Sequence, residues 1–165
     1  MHPQCNETQY KRKSLFLPNE EASEQLAADL APMIPPSFLI SFSGEIGSGK
    51  TTFIRALLKC LGVQTAIKSP TFSLVESYSC LRLEIHHFDL YRIQHADELE
   101  YIGFRDYFSK PSLCCIEWPE HAGNLLPKED IRFSLSIQGT GRQMHMQAWS
   151  PAGIDILENL AGELL

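Results

Sequence analysis

The sequence predicts an α/β fold: a three-layer sandwich with a largely parallel central sheet and antiparallel hairpin additions. Three observations predict it. Compact apolar runs, Phe38–Phe42 and Leu113–Ile116, read as buried strands. Helix-spaced apolar residues, Phe53, Ile54, Leu57, Leu58 and Leu61, follow the first run after a glycine-rich loop. Alternating segments on either side of Gly139-Thr140-Gly141 read as a hairpin.

In chain order, Ser14–Leu17 reads as a short edge strand. Asn19 caps a helix, with Glu20 and Glu21 complementing its dipole and Leu26, Ala27 and Leu30 on its apolar face. Pro32, Pro35 and Pro36 end that helix before the Phe38 strand. Gly62 stops the second helix, and Lys68-Ser69-Pro70-Thr71 turns the chain. Phe72–Tyr78 and Leu81–Phe88 read as an antiparallel hairpin, with Leu81, Leu83 and Ile85 on one face. Asp97 and Glu100 suggest a capping box for a helix carrying Leu99, Tyr101, Ile102 and Phe104. Ser150-Pro151 opens a last helix with Ile154, Leu157, Leu160 and Leu164 inward.

The bulk numbers bound the function. The chain has 165 residues, 44% of them hydrophobic and 21% charged, which suits one domain spanning 14–165 after a flexible basic tail over 1–13. The net charge of −6 argues against a surface that grips nucleic acid as a whole, and Lys11-Arg12-Lys13 is expected to be solvated tail. No apolar stretch is long enough to span a membrane. Of the five cysteines none forms a C-x-x-C pair; Cys114-Cys115 reads as core, and a cytoplasmic location is the simplest.

Gly44-Glu45-Ile46-Gly47-Ser48-Gly49-Lys50-Thr51 fits the phosphate-loop pattern G-x-x-x-x-G-K-[ST] without mismatch, between a strand and a helix. A helix start leaves N–H groups unpaired and carries partial positive charge, and glycines let the preceding backbone turn its own N–H groups inward. Glu45, Ile46, Gly47, Ser48, Gly49, Lys50, Thr51 and Thr52 are therefore expected around a nucleotide's phosphates, with Lys50 on the β- and γ-phosphates and Thr51 on Mg²⁺. Such a site needs a strand-end acid beside the loop. Glu117 and Asp89 both qualify; each can ligate the metal, directly or through water, or orient the attacking water. Thr71 is a candidate sensor of the γ-phosphate. Trp118 is read equally as a nucleotide or partner contact and as packing, and His86 and His87, facing opposite sides of a strand, do not share one metal. Arg92 and Arg142 are both candidates for a charge-stabilising arginine.

Four segments together resemble the TsaE (YjeE) family, the ATPase component of bacterial tRNA threonylcarbamoyladenosine biosynthesis: GEIGSGKTT at 44–52, KSPTFSLVESY at 68–78, HFDLYR at 87–92 and CIEWPE at 115–120. The spacing, and ELEYIGFRDYF at 98–108, resemble it too. The resemblance implies binding of ATP and Mg²⁺, slow ATP hydrolysis by the subunit alone, and assembly with the TsaB and TsaD proteins, with tRNA engaged through that complex. By motif it implies Mg²⁺ at Thr51 and Glu117, Lys50 as phosphate clamp, Asp89 as a catalytic or metal-organising acid and Thr71 as a switch residue. It also brings Glu20, Ser23 and Arg142 towards the nucleotide. Two other readings use the same loop: a small-molecule kinase, and a nucleotide-gated binding module whose output is association.

Overall fold

A computed structural model describes residues 10–80, 82–160 and 163–164. Eight strands form one sheet: β1 (Lys11–Leu17), β2 (Phe38–Ser43), β3 (Val75–Cys80), β4 (Leu83–Asp89), β5 (Leu113–Glu117), β6 (Ile131–Gln138), β7 (Gly141–Ala148) and β8 (Glu163–Leu164). Their order is β3-β4-β5-β2-β6-β7-β1-β8. The central four strands, β4-β5-β2-β6, run parallel, and the β3–β4, β6–β7, β7–β1 and β1–β8 pairs are antiparallel. The predicted α/β class and its antiparallel additions are observed.

The helices are α1 (Glu20–Leu30), α2 (Lys50–Cys60), α3 (Glu98–Tyr101) and α4 (Pro151–Asn159). Two apolar clusters lie on opposite faces of the sheet. One gathers Leu26, Leu30, Phe53, Leu57 and Leu157 from α1, α2 and α4 against Ile40, Phe42, Cys115 and Phe133. The other gathers Leu99 and Phe104 against Leu39, Phe88, Cys114 and Ile116. Both faces of β2 and β5 are thereby covered, which explains why these two strands read as nearly unbroken apolar runs. Cys114 and Cys115 are free thiols in the core, and burial pushes Cys114 up to about 11 and Cys115 well above the ordinary thiol value.

Local signals act as expected at the caps. The Asn19 side chain accepts from Ala22 N at 2.9 Å, and Ser150 Oγ accepts from Gly153 N at 3.0 Å. Other expectations fail for physical reasons. The Asp97 side chain caps nothing; Glu98 instead accepts from Gln94 N and His95 N, and α3 stops after one turn. Gly103, left-handed at φ 68°, breaks the chain into a separate 3₁₀ segment, Phe104–Phe108. The first hairpin strand begins at Val75 rather than Phe72, because Pro70–Ser73 form a turn closed by Leu74 N donating to Pro70 O. Leu164 belongs to β8, not to the last helix, and Leu81 and residues 1–9 of the expected tail lie outside the described residues.

Lys11-Arg12-Lys13 is not solvated tail. These residues open β1, pair with Met146–Ala148 of β7, and place the strand between β7 and β8 rather than at the edge. Lys13 is only 5% exposed, and its ammonium donates to Leu157 O at 2.6 Å and to Leu160 O. A cation there satisfies carbonyls at the C-terminal end of α4. Lys13→Met keeps the apolar stem and removes both bonds. It is expected to lower unfolding free energy by about 1–3 kcal/mol, since a buried carbonyl left unpaired costs that much. An unchanged denaturant midpoint would contradict this role.

Candidate functional site

The site forms where parallel strands end. Phe42 near the end of β2 is in register with Glu117, and Asp89 at the end of β4 is also in register with Glu117. Adjacent strands thus deliver both acids, side by side, to the face that carries α2. The loop after β2 carries Gly44 to Gly49, and α2 begins at Lys50. A crevice at the carboxyl ends of such strands is the usual ligand position in α/β sheets.

The loop's backbone needs its glycines at two points. Gly44 has φ 143°, and a Cβ there would lie 2.3 Å from Leu135 O. Gly49 has φ 99° and caps α2 without any side-chain hydrogen bond to the first-turn N–H groups. Lys50 Nζ donates to Gly44 O at 2.5 Å and Glu45 O at 3.0 Å, and lies 4.5 Å from the centre of the Trp118 ring. Ser48 Oγ is buried with no hydrogen-bond partner among the described residues. Arg142 from β7 braces the loop: Nε donates to Ser48 O and Nη2 to Gly47 O, each at 3.1 Å.

A cavity of about 540 Å³ opens onto this loop. Ile46, Gly47, Ser48, Gly49, Lys50, Thr51 and Thr52 line it, and so do Thr71, Asp89, Glu117, Glu20, Ser23 and Arg142. The fold therefore brings together nearly every residue singled out from the sequence. The Glu45 side chain is outside the lining, and that residue contributes only its carbonyl, to Lys50 and to Ser48 N. Arg92 is also outside it; its guanidinium stacks at 4.1 Å on the ring of Phe72, which is 81% exposed. Of the two candidate arginines, only Arg142 reaches the cavity.

Leu17, Asn19, Tyr91, Leu135 and Thr140 line the cavity as well, and none was marked as a site residue from the sequence. Asn19 had been assigned to a helix cap, which it also is. The others carry no chemical signal that separates them from ordinary strand ends and turns. Trp118, left open, proves to be cavity lining held at φ 58° and packed on Tyr91. A bulky residue in the left-handed region is unusual and recurs at functional sites.

The acids are tightly held. Glu117 is 2% exposed; its Oε1 accepts from Thr51 Oγ1 at 2.7 Å, and its Oε2 accepts from His87 Nε2 at 2.7 Å. Asp89 accepts from Tyr91 N at 3.1 Å and from Thr71 Oγ1 at 3.3 Å. Burial first, and then the Glu117 charge, hold the Asp89 carboxyl above the usual carboxylate range. Burial lowers Lys50 from its ordinary value, opposed chiefly by Glu117 and Asp89.

A folded-state pKa raised above the unfolded value means that ionised Asp89 costs stability above that pKa, a cost that vanishes as pH falls below the unfolded value. Asp89→Asn keeps an acceptor for Tyr91 N and removes the charge. Its melting temperature is expected to exceed that of the parent chain at neutral pH, with the gap closing through the carboxylate range. An equal or lower value at neutral pH would refute this.

The donor set suits a polyphosphate: a helix start without a side-chain cap, a buried hydroxyl with no partner among the described residues, and an ammonium whose hydrogen bonds go to carbonyls. The acceptor set suits a hard divalent cation, because Thr51, Glu117 and Asp89 are all oxygen ligands. Among the described residues no three His, Cys, Asp or Glu side chains form a metal cluster, so such a cation would also need ligands from phosphate and water.

The family model for "Threonylcarbamoyl adenosine biosynthesis protein TsaE" matches residues 17–144. A tRNA threonylcarbamoyladenosine biosynthesis protein TsaE from Haemophilus influenzae is 39% identical over 121 residues, covering 73% of this chain and 77% of that protein. The protein of the same name from Bacillus subtilis is 31% identical over 121 residues, covering 73% and 75%. The crystal structure of Bacillus subtilus YdiB superposes with a TM-score of 0.74 at 23% identity, over 91% of this chain and 94% of that one, a likeness of fold.

Proposed function

The chain belongs to the TsaE family of tRNA threonylcarbamoyladenosine biosynthesis proteins, and from that premise we propose that it is a Mg²⁺-dependent ATP-binding and ATP-hydrolysing subunit of the tRNA-modifying assembly. The observation that carries this is the meeting of Thr51, Glu117 and Asp89 at one mouth of the phosphate loop.

The reaction is attack of water on the γ-phosphorus, which breaks its bond to the β,γ-bridging oxygen, so that ADP leaves with that oxygen and inorganic phosphate is released. Lys50 swings from Gly44 O and Glu45 O to the phosphates, and the loop N–H groups stabilise negative charge. Thr51, Glu117 and Asp89 would hold Mg²⁺, which supplies charge neutralisation on the phosphate oxygens. Asp89, with its raised proton affinity, is suited to orient the attacking water or take its proton. Glu20 and Ser23, which also line the cavity, would face the nucleotide, and Arg142 keeps the loop in shape.

TsaB and TsaD proteins are the proposed partners, with tRNA engaged through them, and the cytoplasm is the proposed compartment. Among the described residues no helix is long and apolar enough to cross a membrane. ATP labelled at the γ-phosphate tests the reaction. Label released as inorganic phosphate, at a slow rate that changes when TsaB and TsaD are added, is expected. Label passed to a small metabolite instead would point to a kinase.

One observation favours a gating role beside turnover. Thr71 contacts both Ser69 Oγ and Asp89, and the next residue, Phe72, projects into solvent. A segment so linked can transmit the state of the site to a partner. Partner binding that needs ATP but survives Glu117→Gln would make association, rather than hydrolysis, the output.

A further inference from the structure

We propose that His87 is a positioning residue: its Nε2–H pins one oxygen of Glu117 so that the other faces Thr51 and a divalent cation. The inference rests on the nucleotide reading above and gives a role in it to one of the two adjacent histidines of β4.

The placement follows from the sheet. Asp89 and Glu117 are in register, and His87 lies two residues earlier on β4. A two-residue repeat puts His87 on the same face as Asp89, one pleat deeper, diagonal to Glu117. The contact is 2.7 Å with His87 1% exposed. His86 faces the other side, bonded to Ser77 Oγ and packed on Tyr107.

Two features separate this from packing. First, Nδ1 of His87 is buried with no partner among the described residues. A phenylalanine would fill the space without leaving a ring nitrogen unsatisfied. Second, Glu117 stands beside a second carboxylate, and like charges on neighbouring strands push each other apart. Thr51 donates to Oε1 alone, so it leaves the second oxygen to be fixed by another group. The His87 bond holds Oε2 throughout. Groups that orient a metal-binding carboxylate in this way typically change metal affinity about 10- to 100-fold when removed.

The test is ATP binding by calorimetry, titrated with Mg²⁺ and repeated in EDTA. His87→Phe is expected to raise the half-saturating Mg²⁺ concentration about 10- to 100-fold and to leave ATP binding in EDTA unchanged. His87→Gln carries an N–H to the Nε2 position and is expected to recover most of the loss. His87→Asn carries it only to the Nδ1 position and is not. A wild-type Mg²⁺ titration in His87→Phe, or equal behaviour of Gln and Asn, overturns the inference alone. If His87→Phe does not fold, the Gln and Asn pair decides. Wild-type protein that ignores ATP and Mg²⁺ brings down the nucleotide reading and this inference together. Ligand-free protein gives a further check: nitrogen NMR should find the Nε2–H tautomer, and an Nδ1–H tautomer would refute the contact.

Discussion

Lys50→Ala is expected to abolish useful ATP binding while leaving the fold in place. The partners of the ammonium are two carbonyls of the loop and the face of an indole. None of these neutralises it, so it is available to phosphate. A charge-assisted hydrogen bond contributes about 1.5–3 kcal/mol, which corresponds to roughly 10- to 150-fold in affinity. Two such bonds, one to each terminal phosphate, would exceed that range.

The fold should survive because the hydrogen bonds of Lys50 tie the loop only to itself. α2 keeps Phe53, Ile54, Leu57 and Leu58 in the core. Lys50→Arg is not expected to rescue binding, because a planar fork does not substitute for a point charge in a cradle shaped by glycines. Calorimetry with ATP, alongside circular dichroism, checks both halves. Normal ATP affinity in a folded Lys50→Ala chain would remove the cradle from the proposal.

Glu117→Gln should reduce turnover by about 10²- to 10³-fold, the range for losing one preorganised electrostatic group. The substitution keeps the shape of the side chain and one acceptor oxygen, for either Thr51 or His87. It also removes the charge that destabilises ionised Asp89. Stability of the free chain should therefore change little, and the Mg²⁺ requirement should rise. Glu117→Ala should differ: Thr51 Oγ1 and His87 Nε2 lose their shared partner, and each buried group left unpaired costs about 1–3 kcal/mol. A melting curve separates the two variants, and a magnesium titration of hydrolysis measures the catalytic effect. Unchanged metal dependence in Glu117→Gln would take this acid out of the site.

The glycine loop between β2 and α2 was legible in the sequence because its requirements are local. Gly44 and Gly49 sit where the backbone needs positive φ, and Lys50 and Thr51 are fixed relative to them by the first turn of α2. Glu117 was legible for a related reason: a fully buried strand ending in an acid is a rare pattern. The tail boundary was misread because nothing local distinguishes a basic tail from a strand whose lysine reaches helix carbonyls 144 and 147 residues away. The expected helix after Asp97 failed because Gly103 outweighed the apolar spacing around it.

Sequence by itself determined the strand–loop–helix unit, the α/β class, and most of the polar groups that line the cavity. All of these follow from backbone sterics, helix-end polarity and periodicity, which act over a few residues. Only the tertiary structure decided that β4 and β5 are neighbours, and with it that Asp89 stands beside Glu117, that His87 reaches Oε2, and that Arg142 rather than Arg92 faces the loop. Strand order and register are set by how the two apolar faces pack, a sum over the whole chain to which no single segment holds the answer.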